Sequence, residues 1–268
     1  VRAFRANNIE PVLIKGWAAA RNYPAGKFRF YGDIDLAVSA ESYHRAQALI
    51  EREDSPIKGV DLHRELRHLD TLSWDDHYSR SELVPVDGDE IRVLAPEDHL
   101  RVLCVHWLTN GGEDKERLFD IVYAVENRPA SFDWARCLDV VSLNRRSWLV
   151  ATIGLAHKYL GLAIEDLPFA DEARRLPDWL TKCVERGWSG QVRLRGLDES
   201  ITDRGLFVKQ IGRRLPPNPI QSTVFCEGAF DDGPRIGYQI RDIVGRIRPS
   251  VRRISRAIVD QYRWSRAK

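Results

Sequence analysis

The sequence contains no methionine, and Val1 stands in the first position. Its numbering is therefore expected to start inside the native protein, after a further N-terminal piece. Cysteine is scarce: Cys104, Cys137, Cys183 and Cys226 are widely spaced, with no Cys-x-x-Cys pair and no evident histidine partner. This argues for reduced thiols in a cytoplasmic protein and against a cysteine-based zinc site. No apolar run approaches the roughly 18 residues needed to cross a bilayer. Nor does a charged-then-apolar segment resembling a signal peptide open the chain.

What is present fits a soluble globular protein rather than a disordered one, with 43% hydrophobic and 30% charged residues. Its 268 residues suffice for one large domain or two modest ones. The net charge of +2 is uneven. Ten of the 41 basic residues and two of the 39 acidic ones fall between Pro234 and Lys268, a surplus of +8 against −6 for the remainder.

Apolar patterning divides the chain in two. Up to about residue 95 it predicts a small α/β region. Residues 1–10 close a helix, Pro11-Val-Leu-Ile is a buried strand running into Lys15-Gly16, and Trp17–Arg21 is helical. Tyr23-Pro-Ala-Gly26 is a turn, followed by a strand over Asp33–Val38, a helix over Ala40–Glu51 and a strand over Lys58–Leu66. Glu82–Leu94 holds one or two more strands. Pro96-Glu97-Asp98 opens a helix, with proline and acids where the helix dipole favours them. Further helices are expected near 113–126, 132–143, 146–161 and 176–187, and Pro216-Pro-Asn-Pro219 is expected to be loop. The expected organisation is thus 1–95, a helical region 96–233 and a basic helical tail 234–268.

The chemistry concentrates in three aspartates. Strand side chains alternate between faces, so Asp33 and Asp35 are expected to project together. Two such carboxylates repel unless a cation lies between them, and hard divalent ions prefer oxygen ligands. Asp61, in Val60-Asp-Leu-His63, offers a third carboxylate from a neighbouring strand. Three acids are what a two-metal phosphoryl-transfer site requires. An isolated Asp-x-Asp is common at turns and strand ends. Here it has company, because Lys15-Gly16 follows the first strand where backbone N–H groups can meet a phosphate, while Arg29 and Gly32 precede Asp33.

Leu13-Ile-Lys-Gly-Trp17, Arg29-x-x-Gly32-Asp33-x-Asp35-Leu and Val38 together resemble the nucleotidyltransferase superfamily, which has a polymerase-beta-like fold. The narrower likeness is to its poorly characterised branch carrying a Lys-Gly…Arg-x-x-Gly-Asp-x-Asp-Leu pattern. Val60-Asp-Leu-His63, Leu94-Ala-Pro-Glu-Asp-His-Leu100, His106, Leu118-Phe-Asp120 and Leu160-Gly161 to Pro168 extend the likeness over roughly residues 9–170. It implies an α+β fold, a small mixed sheet with flanking helices, and transfer of a nucleoside monophosphate from a nucleoside triphosphate to an acceptor. By the same resemblance Asp33, Asp35 and Asp61 are metal-binding and catalytic. Mg²⁺ or Mn²⁺ is the metal, and ATP or another triphosphate the donor. Lys15, Gly16, Arg29 and Gly32 would meet the phosphates. The sequence departs from the superfamily in having Gly16-Trp17 where Gly-Gly or Gly-Ser is usual, so Lys15 or Arg29 is expected to replace a serine contact.

The acceptor stays open between small molecule, peptide and RNA; the branch's association with polysaccharide and peptide pathways points to a sugar or peptide. Alternatives are a toxin-like transferase acting on tRNA, which the basic tail suits, and a noncatalytic nucleotide- or RNA-binding module. His63 shares Asp61's face and either contacts substrate or packs beside an acid. His106 and Asp120 are read as structural hydrogen-bond partners, and Trp17 as core or base-stacking. In the tail, Ile236, Ile240, Ile243, Ile247, Val251, Ile254, Ile258 and Tyr262 fall at helical spacing. Residues 234–268 either bind a polyanion or dock on the body through that stripe.

Overall fold

The computed structural model describes residues 1–66, 72–189, 205 and 215–246. The chain divides into two compact units, one of residues 1–107 and 115–176 and the other of 108–114 and 177–268. The boundary expected at residue 95 lies inside the first unit.

A five-stranded mixed sheet organises the first unit, with β1 (Val12–Leu13), β2 (Ile34–Val38), β3 (Val60–Arg64), β4 (Glu82–Val86) and β5 (Asp89–Val93) in the order β3-β2-β1-β5-β4. Strand β2 runs antiparallel to β1 and parallel to β3, while β5 runs parallel to β1 and antiparallel to β4. The β4–β5 hairpin closes at Asp87-Gly88, both with positive φ (47° and 83°). That is the backbone a two-residue hairpin turn demands and a reason for Asp-Gly there.

Alternation sorts the strand residues between two cores. Leu13, Leu36, Val38 and Val93 are buried with Phe4, Ile9, Ala18 and Ala46. Val12, Ile14, Ala37 and Leu94 form a second cluster with Leu66. Each fully buried leucine or isoleucine contributes roughly 1.5–3 kcal/mol. In the first cluster the sheet packs with α1 (Arg2–Arg5), α2 (Trp17–Ala20) and α3 (Tyr43–Glu51).

Sequence reading missed α4 (Trp74–Arg80). Its signal was Ser73-x-x-Asp76, a reciprocal capping box in which the Ser73 hydroxyl accepts from the Asp76 N–H and the Asp76 carboxylate accepts from Ser73 N. Helices α5 (Pro96–Thr109), α6 (Leu118–Glu126), α7 (Trp134–Leu138) and α8 (Leu143–Leu160) lie close to the expected segments, and α9 (Ala170–Arg174) was not foreseen. Gly154 lets α8 approach α9, because a Cβ there would stand 2.1 Å from the Ala173 carbonyl oxygen.

The second unit contains α10 (Asp178–Ser189), α11 (Pro219–Phe225) and a helix over 236–246. Asn218-Pro219, expected to be loop, instead starts α11. The Asn218 side chain accepts from the N–H groups of Ile220 and Gln221, and Pro219 occupies the first turn.

The 236–246 helix corrects another expectation. Ile236 and Ile240, which the docking alternative for the tail would turn inward, are 58% and 55% exposed, whereas Arg235, Gln239 and Asp242 are buried. Polar bonds decide its orientation. Gln239 donates to the Pro217 carbonyl at 2.6 Å, Ser222 donates to Asp242 at 2.9 Å, and the Arg235 guanidinium lies over Trp179 and Tyr238. The rest of the tail, Ile247 to Lys268, lies outside the described residues. Among the described residues no helix is long and apolar enough to cross a membrane.

Candidate active site

Parallel pairing of β2 with β3 sets Asp35 opposite Asp61 and Ala37 opposite His63. Neighbouring strands lie about 4.8 Å apart and side chains alternate, so Asp35, Asp61 and His63 share the face that carries Val12, Ile14 and Ala37. His63 Nε2 stands 3.2 Å from Asp35 Oδ1 and 3.3 Å from Asp61 Oδ2. One ligand atom from each of the three residues falls within 4.8 Å of the others, a spacing that could hold a metal ion. Two carboxylates with one imidazole suit Mg²⁺ through the oxygens and Mn²⁺ through all three.

Asp35 is buried, and Asp61 at the rim has a side chain 55% exposed. Lys15, also buried, forms an ion pair with Asp35 at 2.6 Å. Burial opposes ionisation of Asp35, but the hydrogen bonds and charges of His63 and Lys15 outweigh it and hold the carboxyl below its usual range. His106 on α5 senses the same pair. Burial first, then the positive charge of Lys15, lowers it to about 4.

The turn after β1 is shaped by Gly16, with φ +62°. A Cβ there would stand 3.3 Å from the Asp33 carbonyl oxygen and 3.9 Å from the Tyr31 Cβ. Glycine alone combines that backbone with so close an approach. At Gly32 a Cβ would meet nothing within 4 Å.

Several expected site residues occupy other positions. Asp33 lies just before β2, in a bend, and is exposed. Alternation carries it to Asp35's face only within a paired strand, and it is not among the three donors that come together. Arg29 has turned away from the carboxylates, donating through Nε and Nη2 to Asp120 at 2.6 and 2.7 Å. Its Nη1 is buried without a hydrogen-bond partner. Tyr23 donates to the same Asp120 at 2.8 Å, and burial together with that charge pushes the phenol well above its usual range. Asp120 is thus the structural partner expected of it. Trp17 packs against the first core cluster with Arg21 over its ring.

Residues 1–161 match a family of uncharacterised nucleotidyltransferases. The chain belongs to that family. The match spans the whole sheet, the three-donor cluster and the helices through α8, so this nucleotidyltransferase carries its cluster inside the shared region. No curated protein and no solved structure matches the chain.

Proposed function

We propose that the chain is a divalent-metal-dependent nucleotidyltransferase that moves a nucleoside monophosphate from a nucleoside triphosphate, ATP or another, to a hydroxyl acceptor. The observation that carries this reading is the convergence of Asp35, Asp61 and His63 beside Lys15 on adjacent strands. Asp35 and Asp61 hold the metal, with His63 beside them, and Asp33 at the mouth of β2 is assigned as the outer carboxylate. A bound Mg²⁺ or Mn²⁺ neutralises phosphate charge and lowers the pKa of the attacking hydroxyl.

The residues divide the remaining work. Gly16 lets backbone N–H groups approach the triphosphate, and Lys15, held beside the turn by Asp35, would offer it positive charge. Asp61, exposed at the rim, accepts the acceptor's proton as the oxygen bonds to the α-phosphorus and the bond to the β-phosphate oxygen breaks, releasing pyrophosphate. Arg29 and Asp120 act as positioning residues for the segment leading into β2.

The test supplies α-labelled ATP and Mg²⁺ or Mn²⁺ with three acceptor pools: sugars, peptides and tRNA. Label should enter one pool with release of pyrophosphate, and Asp61→Asn should abolish it. Nucleotide binding without transfer to any pool would reject the enzyme reading in favour of a binding module. Label confined to tRNA would identify the acceptor as RNA.

A further inference from the structure

The segment 27–31, which joins the Tyr23–Gly26 turn to β2, has side chains that divide by position. Lys27 donates to the Tyr123 hydroxyl at 2.8 Å and lies over the Phe119 and Tyr123 rings. Arg29 is held by both oxygens of Asp120. Both anchors therefore fall on α6. The alternate residues stand in solvent, Phe28 at 84% and Phe30 at 87% exposure. A Phe side chain left in water forgoes the gain of burying its large apolar surface. Two of them, held out because Lys27 and Arg29 on either side of Phe28 are anchored on α6, put exposed apolar surface on this segment.

The patch adjoins the candidate active site. Tyr31, next to Phe30, lies against Gly16, and Gly16 follows the Lys15 that binds Asp35. This side of the site belongs to β1, whereas Asp61 lies on β3, across β2. In the proposed reaction the triphosphate occupies the Gly16 turn and the acceptor comes to Asp61. A nucleobase is covalently tied to its triphosphate and must land within one nucleotide's reach of Gly16, and the segment ending at Tyr31 passes within that reach.

We infer that Phe28 and Phe30 form the platform on which the base of the donor nucleoside triphosphate stacks. This rests on the nucleotidyltransferase reading above and assigns the base subsite within it. Stacking on aromatic rings accepts any base, because every base has a π face. Such a platform gives affinity for nucleotides with little discrimination among them. Trp17, the aromatic residue that sequence suggested for stacking, is engaged in the core.

Calorimetry on the full chain with two probes, Mg-ATP and Mg-tripolyphosphate, separates the base from the phosphates. Wild type should bind ATP more tightly than tripolyphosphate. The Phe28→Ala/Phe30→Ala double variant should lose about tenfold or more in ATP affinity and keep its tripolyphosphate affinity. Phe28→Trp/Phe30→Trp should restore ATP binding. Both side chains are exposed, so the melting temperature serves as a check that the fold is unchanged. Equal weakening toward both probes, or none toward ATP, would overturn the platform while leaving the transferase reading intact. If the wild type binds neither probe, the transferase reading fails and the platform fails with it.

Discussion

Asp35 and Asp98 each lie within hydrogen-bond reach of a histidine and pair with a cation. The partners are His63 and Lys15 at 3.2 and 2.6 Å for Asp35, and His77 and Arg101 at 2.8 and 2.5 Å for Asp98. Both carboxyls are buried. In each, the cost of burial is outweighed by these partners, so both are held below the usual carboxylate range. The surroundings separate them. His77, Asp98 and Arg101 are sealed, with side chains at most 2% exposed. The Asp35 group opens to solvent through His63 and Asp61, at 30% and 55%, and carries a second carboxylate. A carboxylate–histidine–cation group is therefore no sign of catalysis in itself. Access and a second acid opposite the first suit such a group to holding a metal, while enclosure leaves its charges to one another, where losing one partner is costly.

The sharpest break between the two is Asp61→Asn against Asp98→Asn. At Asp61, transfer measured as label incorporation should fall at least about a thousandfold, roughly 4 kcal/mol of transition-state stabilisation. The melting temperature should barely move, because the side chain is mostly exposed. Asp98→Asn should do the reverse. Leaving Arg101 buried and unpaired costs about 3–5 kcal/mol of stability, read by chemical denaturation, with little effect on turnover of the folded fraction. A catalytic loss at Asp98 comparable to that at Asp61 would erase the distinction. Asp35 combines both roles, since removing it also strands buried Lys15. Asp35→Ala is thus expected to lose both activity and stability, contrary to the simple relief of exposed repulsion that the Asp-x-Asp pattern suggests.

Acid titration sharpens the comparison further. Asp35 and Asp98 have depressed carboxyls, so their contribution is present above the unfolded value near 4 and is lost as pH falls below it through their folded values. His99 is also depressed: burial lowers it from 6.5 to about 4. The unfolded chain then binds a proton that the folded chain refuses, and stability is lost as pH falls from about 6.5 to about 4. The loss approaches roughly 3 kcal/mol. Melting followed from pH 7 to 4 should show this decline, to which His106, lowered likewise to about 4, adds its own part, and His99→Gln should make it shallower. A profile unchanged by His99→Gln would refute the assignment, while the carboxylates should reveal themselves only below about pH 4.

The smallest effect is expected at His63. His63→Gln should cost about 1 kcal/mol of stability or less, because the half-buried side chain bonds Asp35 and the glutamine amide can still donate to that carboxylate. It should shift the preference between Mn²⁺ and Mg²⁺ in transfer assays by about tenfold toward Mg²⁺, because an imidazole nitrogen suits the transition metal. An unchanged ratio would remove His63 from the metal's ligands. The sealed counterpart, His77→Gln, should instead lower the melting temperature.

How much of this was legible depends on the range of the forces involved. Alternation along Ile34–Val38 and Val60–Arg64 is a local property, so Asp35, Asp61 and His63 could be assigned to one face from their spacing. The Asp87-Gly88 hairpin turn was not read from the sequence, although its backbone sterics are equally local. Asp33 was expected inside the strand, whereas pairing begins only at Ile34, a boundary that alternation cannot foresee. Helix α4 was overlooked although its capping residues were in plain view, because the apolar pattern around it is weak.

Sequence alone thus determined the α+β class, the glycine after the first strand, the strand-borne acids and the helical character of the chain beyond residue 95, all set by side-chain period and backbone allowance. Tertiary structure decided which charges meet. Arg29 and Asp120, 91 positions apart, became a bidentate pair. Lys15 turned to Asp35, and Asp98 was enclosed by His77 and Arg101. The helix over 236–246 buried Gln239 and Asp242 and left Ile236 and Ile240 outside. A buried charge or amide must find a partner wherever the fold brings one within reach, and no spacing along the chain specifies which partner that will be.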